Sequence, residues 1–308
     1  MDASVRTSII MGVIFAVSQL GALVMAWAFL GPEWQFFEDP NDPLIPLYYI
    51  AAVVLFTFAI LYIIKKKRED LVRIIFLGAV AYTIFFVILM MVAGFIGGVT
   101  PVIVSVAITA VIAYYLVKKP EWYVIDSAGI LMSIGIIGIF GISLGILPVL
   151  ILLIILAVYD AISVYGTKHM VALADGVTKM RLPILLVIPK KRGYSYLTQR
   201  PLMEQLEDGG EREAMFMGLG DVIIPGILIT SAFYFLPDDA LWGSTANLVV
   251  ALGTLLGAIV GFAVLMRFVV KGNPQAGLPL LNGGAIAGYI VTYIIALQEF
   301  SLGITLPW

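Results

Sequence analysis

The sequence predicts an all-α polytopic membrane protein with nine transmembrane helices, a cytoplasmic N-terminus and an extracellular C-terminus. Three observations predict it. Apolar residues make up 61% of the 308 and charged residues only 12%, against roughly 45–50% and about 25% in soluble domains. The apolar residues fall in runs long enough to span, since about 20 residues at about 1.5 Å each cross about 30 Å of hydrocarbon. All 18 lysines and arginines then fall on one side of the resulting nine-helix frame, which that excess marks as cytoplasmic. The location implied is the cell membrane, as a multi-pass protein.

Helix 1 covers residues 7–30. This run of 24 after Arg6 exceeds a signal-peptide core and reads as a retained signal-anchor. An acidic loop with Glu33, Glu38, Asp39 and Asp42 follows. Helix 2 covers 44–64 and stops at Lys65-Lys66-Lys67-Arg68. The stretch 71–117 would be roughly 70 Å long as one helix, so it folds back at Gly97-Gly98 into helices 3 and 4. After Lys118-Lys119-Pro120, residues 124–165 divide near Gly145 into helices 5 and 6. Residues 167–213 are too charged to span. Helices 7, 8 and 9 cover 214–236, 241–270 and 277–297. The chain thus divides into an N-terminal membrane part (1–166), a partly mobile cytoplasmic loop (167–213) and a C-terminal membrane part (214–308). The tryptophans Trp27, Trp34, Trp122, Trp242 and Trp308 lie near helix ends or outside them, as interfacial anchors do.

Composition also excludes chemistries. A net charge of −2 with no basic stripe interleaved with aromatics gives no nucleic-acid signature. Absent cysteine excludes disulfides, thiolate catalysis and Cys-ligated metals. The single histidine, His169, cannot supply an H-E-x-x-H-type zinc set, and its place at the cytoplasmic end of helix 6 makes it a solvated edge residue. No cofactor or metal is expected.

Only two acids lie well inside an apolar run, Asp160 and Asp221. A carboxylate within a lipid-spanning helix costs several kcal/mol unless it faces a cavity or a partner, so each marks a functional position. Asp160 lies eight residues before Lys168 and Asp221 nine after Arg212. At helical rise both sit about 12–13 Å inside the cytoplasmic boundary, on antiparallel helices 6 and 7, where their side chains face each other. Gly218 and Gly220 remove bulk beside Asp221, which lets another backbone approach and loosens the helix. Gly253, Gly257 and Gly261 on helix 8 read as packing glycines, either within the chain or against another copy. Two carboxyls in contact cannot both ionise cheaply, so such a pair holds one proton between them. It can then activate water against a peptide carbonyl and protonate the departing amine. A cation or proton pathway using the same two acids is the alternative, although the sequence shows no inverted repeat and no further chain of acids.

Tyr159-Asp160 in helix 6, Gly218-Leu219-Gly220-Asp221 in helix 7 and Leu278-Pro279-Leu280-Leu281 opening helix 9 resemble the three signatures of the presenilin and signal peptide peptidase family of intramembrane aspartyl proteases. Their order and the nine-helix frame extend the resemblance over essentially the whole chain. It implies that Asp160 and Asp221 are the catalytic dyad, and that the Pro279 segment shapes the site and receives substrate. It also implies that the partners are single-span membrane proteins or signal-peptide-like helices within the lipid bilayer. One position departs: Leu280 replaces the small alanine of the family's third signature, which bears on how closely that turn approaches the dyad. The run after Asp221 resembles the signal peptide peptidase branch, whereas the basic-residue count gives the presenilin orientation.

Within the loop, the apolar run at 182–189 is too short to span. Its branched residues bounded by prolines suit a strand able to pair with an unwound substrate, or else an interfacial segment lying on the headgroups. Residues 193–210 are polar and expected to be mobile. Extended to this loop, the resemblance makes it a place for self-cleavage.

Overall fold

The structure, a computed structural model, describes residues 3–29, 31–66, 68–167, 183–191, 193–198, 213–270 and 275–304. His169, Trp308 and the stretch 199–210, on which expectations were placed, lie outside them. Nine α-helices occur among the described residues: α1 (Ala3–Phe29), α2 (Ile45–Lys65), α3 (Glu69–Ala93), α4 (Thr100–Lys118), α5 (Trp122–Ser143), α6 (Ile146–Ile162), α7 (Leu219–Phe235), α8 (Ala246–Val270) and α9 (Gly277–Leu297). Seven are long and apolar enough to cross a membrane; the apolar parts of α2 (Ile45–Ile60) and α7 (Leu219–Phe235) are shorter. The helix breaks fall where glycine punctuates the apolar runs. Gly98 has φ 77° between α3 and α4, and Gly145 is the N-cap of α6.

Helix 7 begins five residues later than its hydropathy predicts. Residues Ala214–Gly218 form a strand, β2, that pairs antiparallel with β1, Leu185–Pro189, from Leu185 opposite Gly218 to Pro189 opposite Ala214. The apolar run at 182–189 is therefore a strand over its last five residues rather than an interfacial segment. The common depth computed for Asp160 and Asp221 assumed helical rise after Arg212, whereas five of those nine residues are extended, at about 3.4 Å each.

The largest core cluster joins α1, α6, α7, α8 and α9 through Phe15, Leu153, Val222, Leu228, Val250 and Leu281. Small residues set these separations. On α5, a Cβ at Gly135 would strike Val87 of α3, and one at Gly141 would strike Thr230 of α7. The glycines of α8 pack within the chain. A Cβ at Gly257 would overlap the Gly284 carbonyl and stand 2.8 Å from Gly288 Cα, both on α9, while one at Gly261 would overlap the Leu280 carbonyl. Backbones this close gain dispersion along their whole contact, the interaction that associates helices in lipid.

Another acid is buried beside the sheet. Asp126, in the first turns of α5, is 5% exposed, and its Oδ1 accepts the Val187 N–H of β1 at 2.7 Å. Burial thus reaches an acid beyond the two, Asp160 and Asp221, that lie well inside apolar runs. Asp126 lies close to the end of its apolar run, where sequence places an acid in the interface, but β1 packs over that end of α5 and covers it.

Candidate active site

Both aspartates sit at helix N-termini, for different reasons. Asp221 is in the first turn of α7. Its carboxyl reaches back toward Gly218, the N-cap residue, where a built Cβ would stand 3.5 Å from Oδ2, the direction the third helical residue of a capping box takes. A negative group there also meets the positive end of the helix dipole. Asp160 is near the end of α6, followed by a π-turn at Ser163–Thr167. It is 3% exposed, and its Oδ2 accepts the Leu278 N–H at 3.0 Å, with the Gly277 N–H directed toward the same carboxyl. These are first-turn amides of α9, which have no intrahelical partner. Asp160 thus caps a helix other than its own.

Gly277 brings the two acids together. Its N–H is directed at Asp160, and a Cβ built on it would lie 3.0 Å from Cγ, Oδ1 and Oδ2 of Asp221. One residue without a side chain is therefore in contact with both carboxyls, which are close enough to interact as charges.

The turn carrying Gly277 is tied to α6 above and below Asp160. The Tyr165 hydroxyl donates to Gln275 Oε1 at 2.6 Å and receives the Ala276 N–H at 3.4 Å. Further along, Asn282 Nδ2 donates to the Leu153 carbonyl at 2.9 Å. Pro279 falls in the first turn of α9, where a missing N–H costs nothing. Leu281 is fully buried, and the Leu280 carbonyl rests on Gly261. The turn approaches Asp160 to hydrogen-bond distance despite Leu280 standing where the family has alanine.

The remaining predicted residues divide. Leu219 is buried against Gly129 of α5, whose Cβ would stand 3.1 Å from Leu219 Cδ2. A Cβ at Gly218 would meet only Asp221, and one at Gly220 would have nothing within 4 Å among the described residues. These two glycines thus leave open space beside the acid instead of admitting a neighbouring backbone. Tyr159 is 67% exposed, on the outer surface of α6. Behind Asp221, Pro225 interrupts α7 and leaves the Asp221 carbonyl without its helical donor. Gln19 of α1, fully buried, donates to the adjacent Val222 carbonyl at 2.8 Å. Sequence reasoning missed Gly277, Gln19 and Asn282; for Gly277 the available signal was a glycine immediately before a signature that opens a helix.

Comparison with known proteins gives concordant results. A family profile described as signal-peptide peptidase, presenilin aspartyl protease matches residues 12–297. Two solved structures of a presenilin family intramembrane aspartate protease resemble the chain. One, in a C222 crystal form, has 33% identity over 94% of this chain and 99% of its own, with a TM-score of 0.70. The other, in a P2 form, has 34% identity over 93% and 97%, with a TM-score of 0.62. A search of curated proteins finds no match.

Proposed function

This chain belongs to the signal peptide peptidase and presenilin family and is an intramembrane-cleaving aspartic endopeptidase; from that premise we propose that Asp160 and Asp221 are its catalytic pair, cutting peptide bonds within transmembrane helices of single-span substrates. The observation that carries this reading is the seat at Gly277, in contact with both carboxyls. Two carboxyls that interact as charges hold one proton between them. The ionised member takes a proton from water as its oxygen attacks the scissile carbonyl. The protonated member gives its proton to the amide nitrogen as the C–N bond breaks. The proton count of the pair is unchanged over the cycle.

A helical substrate hides its amides in intrahelical bonds, so it must unwind before it is cut. The β1–β2 sheet offers those amides new partners. Lys190 N–H donates to the Glu213 carbonyl at 2.9 Å and Leu219 N–H to the Ile184 carbonyl at 3.0 Å, which fixes the even-numbered residues of β1 as those bonded to β2. The same register turns the N–H and C=O of Phe216 away from β1, five residues before Asp221. An extended substrate segment pairing there lies alongside the open space at Gly220. With all basic loops cytoplasmic, the cut falls in the cytoplasmic part of the span, where water has the shortest path.

Purified protein incubated with a model transmembrane peptide tests the proposal. Wild type yields two products whose masses place the cut toward the cytoplasmic end, and Asp160→Asn and Asp221→Asn each abolish them. Wild type that cuts nothing but conducts cations in vesicles would return the assignment to an ion pathway, which family membership disfavours. A cut mapped near the extracellular end would refute the orientation.

A further inference from the structure

The buried acid Asp126 takes no part in the chemistry proposed above, yet it occupies a defined place on the sheet. The register that bonds Leu186 and Ile188 of β1 to β2 turns the N–H groups of Leu185 and Val187 to the opposite edge, and Pro189 has none to offer. It is the Val187 N–H that Asp126 Oδ1 accepts at 2.7 Å. Val187 itself is fully buried. A carboxyl from α5 therefore stands where the next strand would have to donate or accept. The other oxygen, Oδ2, is buried with no hydrogen-bond partner among the described residues, so packing alone does not explain an acid here.

The same end of α5 holds the segment that follows β1. Glu121 Oε1 accepts the Ser195 hydroxyl at 2.7 Å, and Oε2 accepts the Tyr196 N–H at 3.1 Å. Ile125, Ala128, Val187, Tyr196 and Ala214 form one buried cluster beneath the sheet. The sheet is thus fastened to α5 at two acids five residues apart, one of them on a strand edge. Since β2 runs without a break into the turn of α7 that carries Asp221, the position of β1 fixes where a segment paired with β2 lies relative to that carboxyl.

We propose that Asp126 is a positioning residue that sets cleavage register: by closing the outer edge of β1 it leaves the outer edge of β2 as the one open, among the described residues, to an extended substrate, and it fixes that edge relative to Asp221. The inference rests on the proposed function, namely that an unwound substrate pairs with this sheet. Without Asp126 the Val187 N–H loses its acceptor, and β1 is free to shift along β2.

The test compares wild type, Asp126→Ala and Asp126→Asn on the model transmembrane peptide, with kcat and KM measured and products mapped by mass. Asp126→Asn keeps an oxygen acceptor for the Val187 N–H, so it retains the wild-type cut and kcat/KM within about threefold. Asp126→Ala lowers kcat/KM about tenfold, the factor equal to one hydrogen bond of ~1.4 kcal/mol, and spreads the products over neighbouring bonds. An alanine variant with wild-type products and efficiency overturns the role of Asp126 while leaving the protease reading intact. So does an asparagine variant that behaves like alanine. Wild type that cuts nothing strikes at the protease reading itself. Should Asp126→Ala fail to fold, hydrogen exchange at the Val187 amide in wild type and Asp126→Asn decides: slow exchange in both supports the bond, and exchange as fast as an unpaired edge amide overturns it.

Discussion

Replacing Gly277 with alanine sets stability and activity in opposite directions, which makes it a sharp test of the site. The added methyl would stand 3.0 Å from three atoms of the Asp221 carboxyl at once. Carbon and oxygen rest at about 3.3–3.6 Å, so the carboxyl must retreat or rotate by about 0.3–0.6 Å as a unit. The opposite side of Gly277 is held through the neighbouring Leu278 amide by Asp160, through Asn282 by α6 and through Tyr165 by the π-turn after it, so the backbone has little freedom to yield. A shift of about 1 Å can cost 10²-fold in rate, and scaled to this displacement the loss is about 4- to 16-fold in kcat with KM little changed. Folding moves the other way, because alanine in a helical first turn is favoured over glycine by up to about 1 kcal/mol. The assay is steady-state cleavage of a transmembrane peptide beside thermal unfolding in the same detergent. Wild-type kcat in Gly277→Ala would refute the close seat of Asp221 on Gly277. A lowered unfolding temperature would refute the separation of the two effects.

Other substitutions probe the frame. Gly257→Leu forces apart α8 and α9, whose backbones touch at Gly284 and Gly288, and loses more than about 3 kcal/mol of stability, read as detergent-resistant fold lost on heating. Asn282→Leu removes the donor to the Leu153 carbonyl and costs about 1–2 kcal/mol, with kcat falling as the first turn of α9 loosens. Tyr165→Phe deletes an exposed hydroxyl that holds Gln275 and Ala276; stability changes by less than about 1 kcal/mol while cleavage slows several-fold.

The helices were legible because lipid demands long apolar runs, and glycine breaks them where the chain turns. α9 occupies the predicted residues, and α2 ends one residue beyond them. The two acids were legible because a charge in such a run has few uses. The strand β2 was not: Ala214-Met215-Phe216-Met217-Gly218 is apolar without a period, and five such residues fit a helix start or a strand equally. Only its partner β1, 25 residues or more upstream, decides. Asp126 escaped because its burial comes from β1 lying over the end of α5, a tertiary fact. Gly277 escaped for the same reason, since its importance arises where α6, α7 and α9 converge.

The run of glycines along α8 has a mechanical corollary. From Gly253 to Gly261 the neighbouring helix is locked at backbone range, so the pair moves as a single stiff plank with the Gly277 turn at its tip. The tip cannot swing out by itself to admit an incoming helix. A change buried deep in the plank, far from any acid, therefore reaches the Gly277 turn as a change in its position.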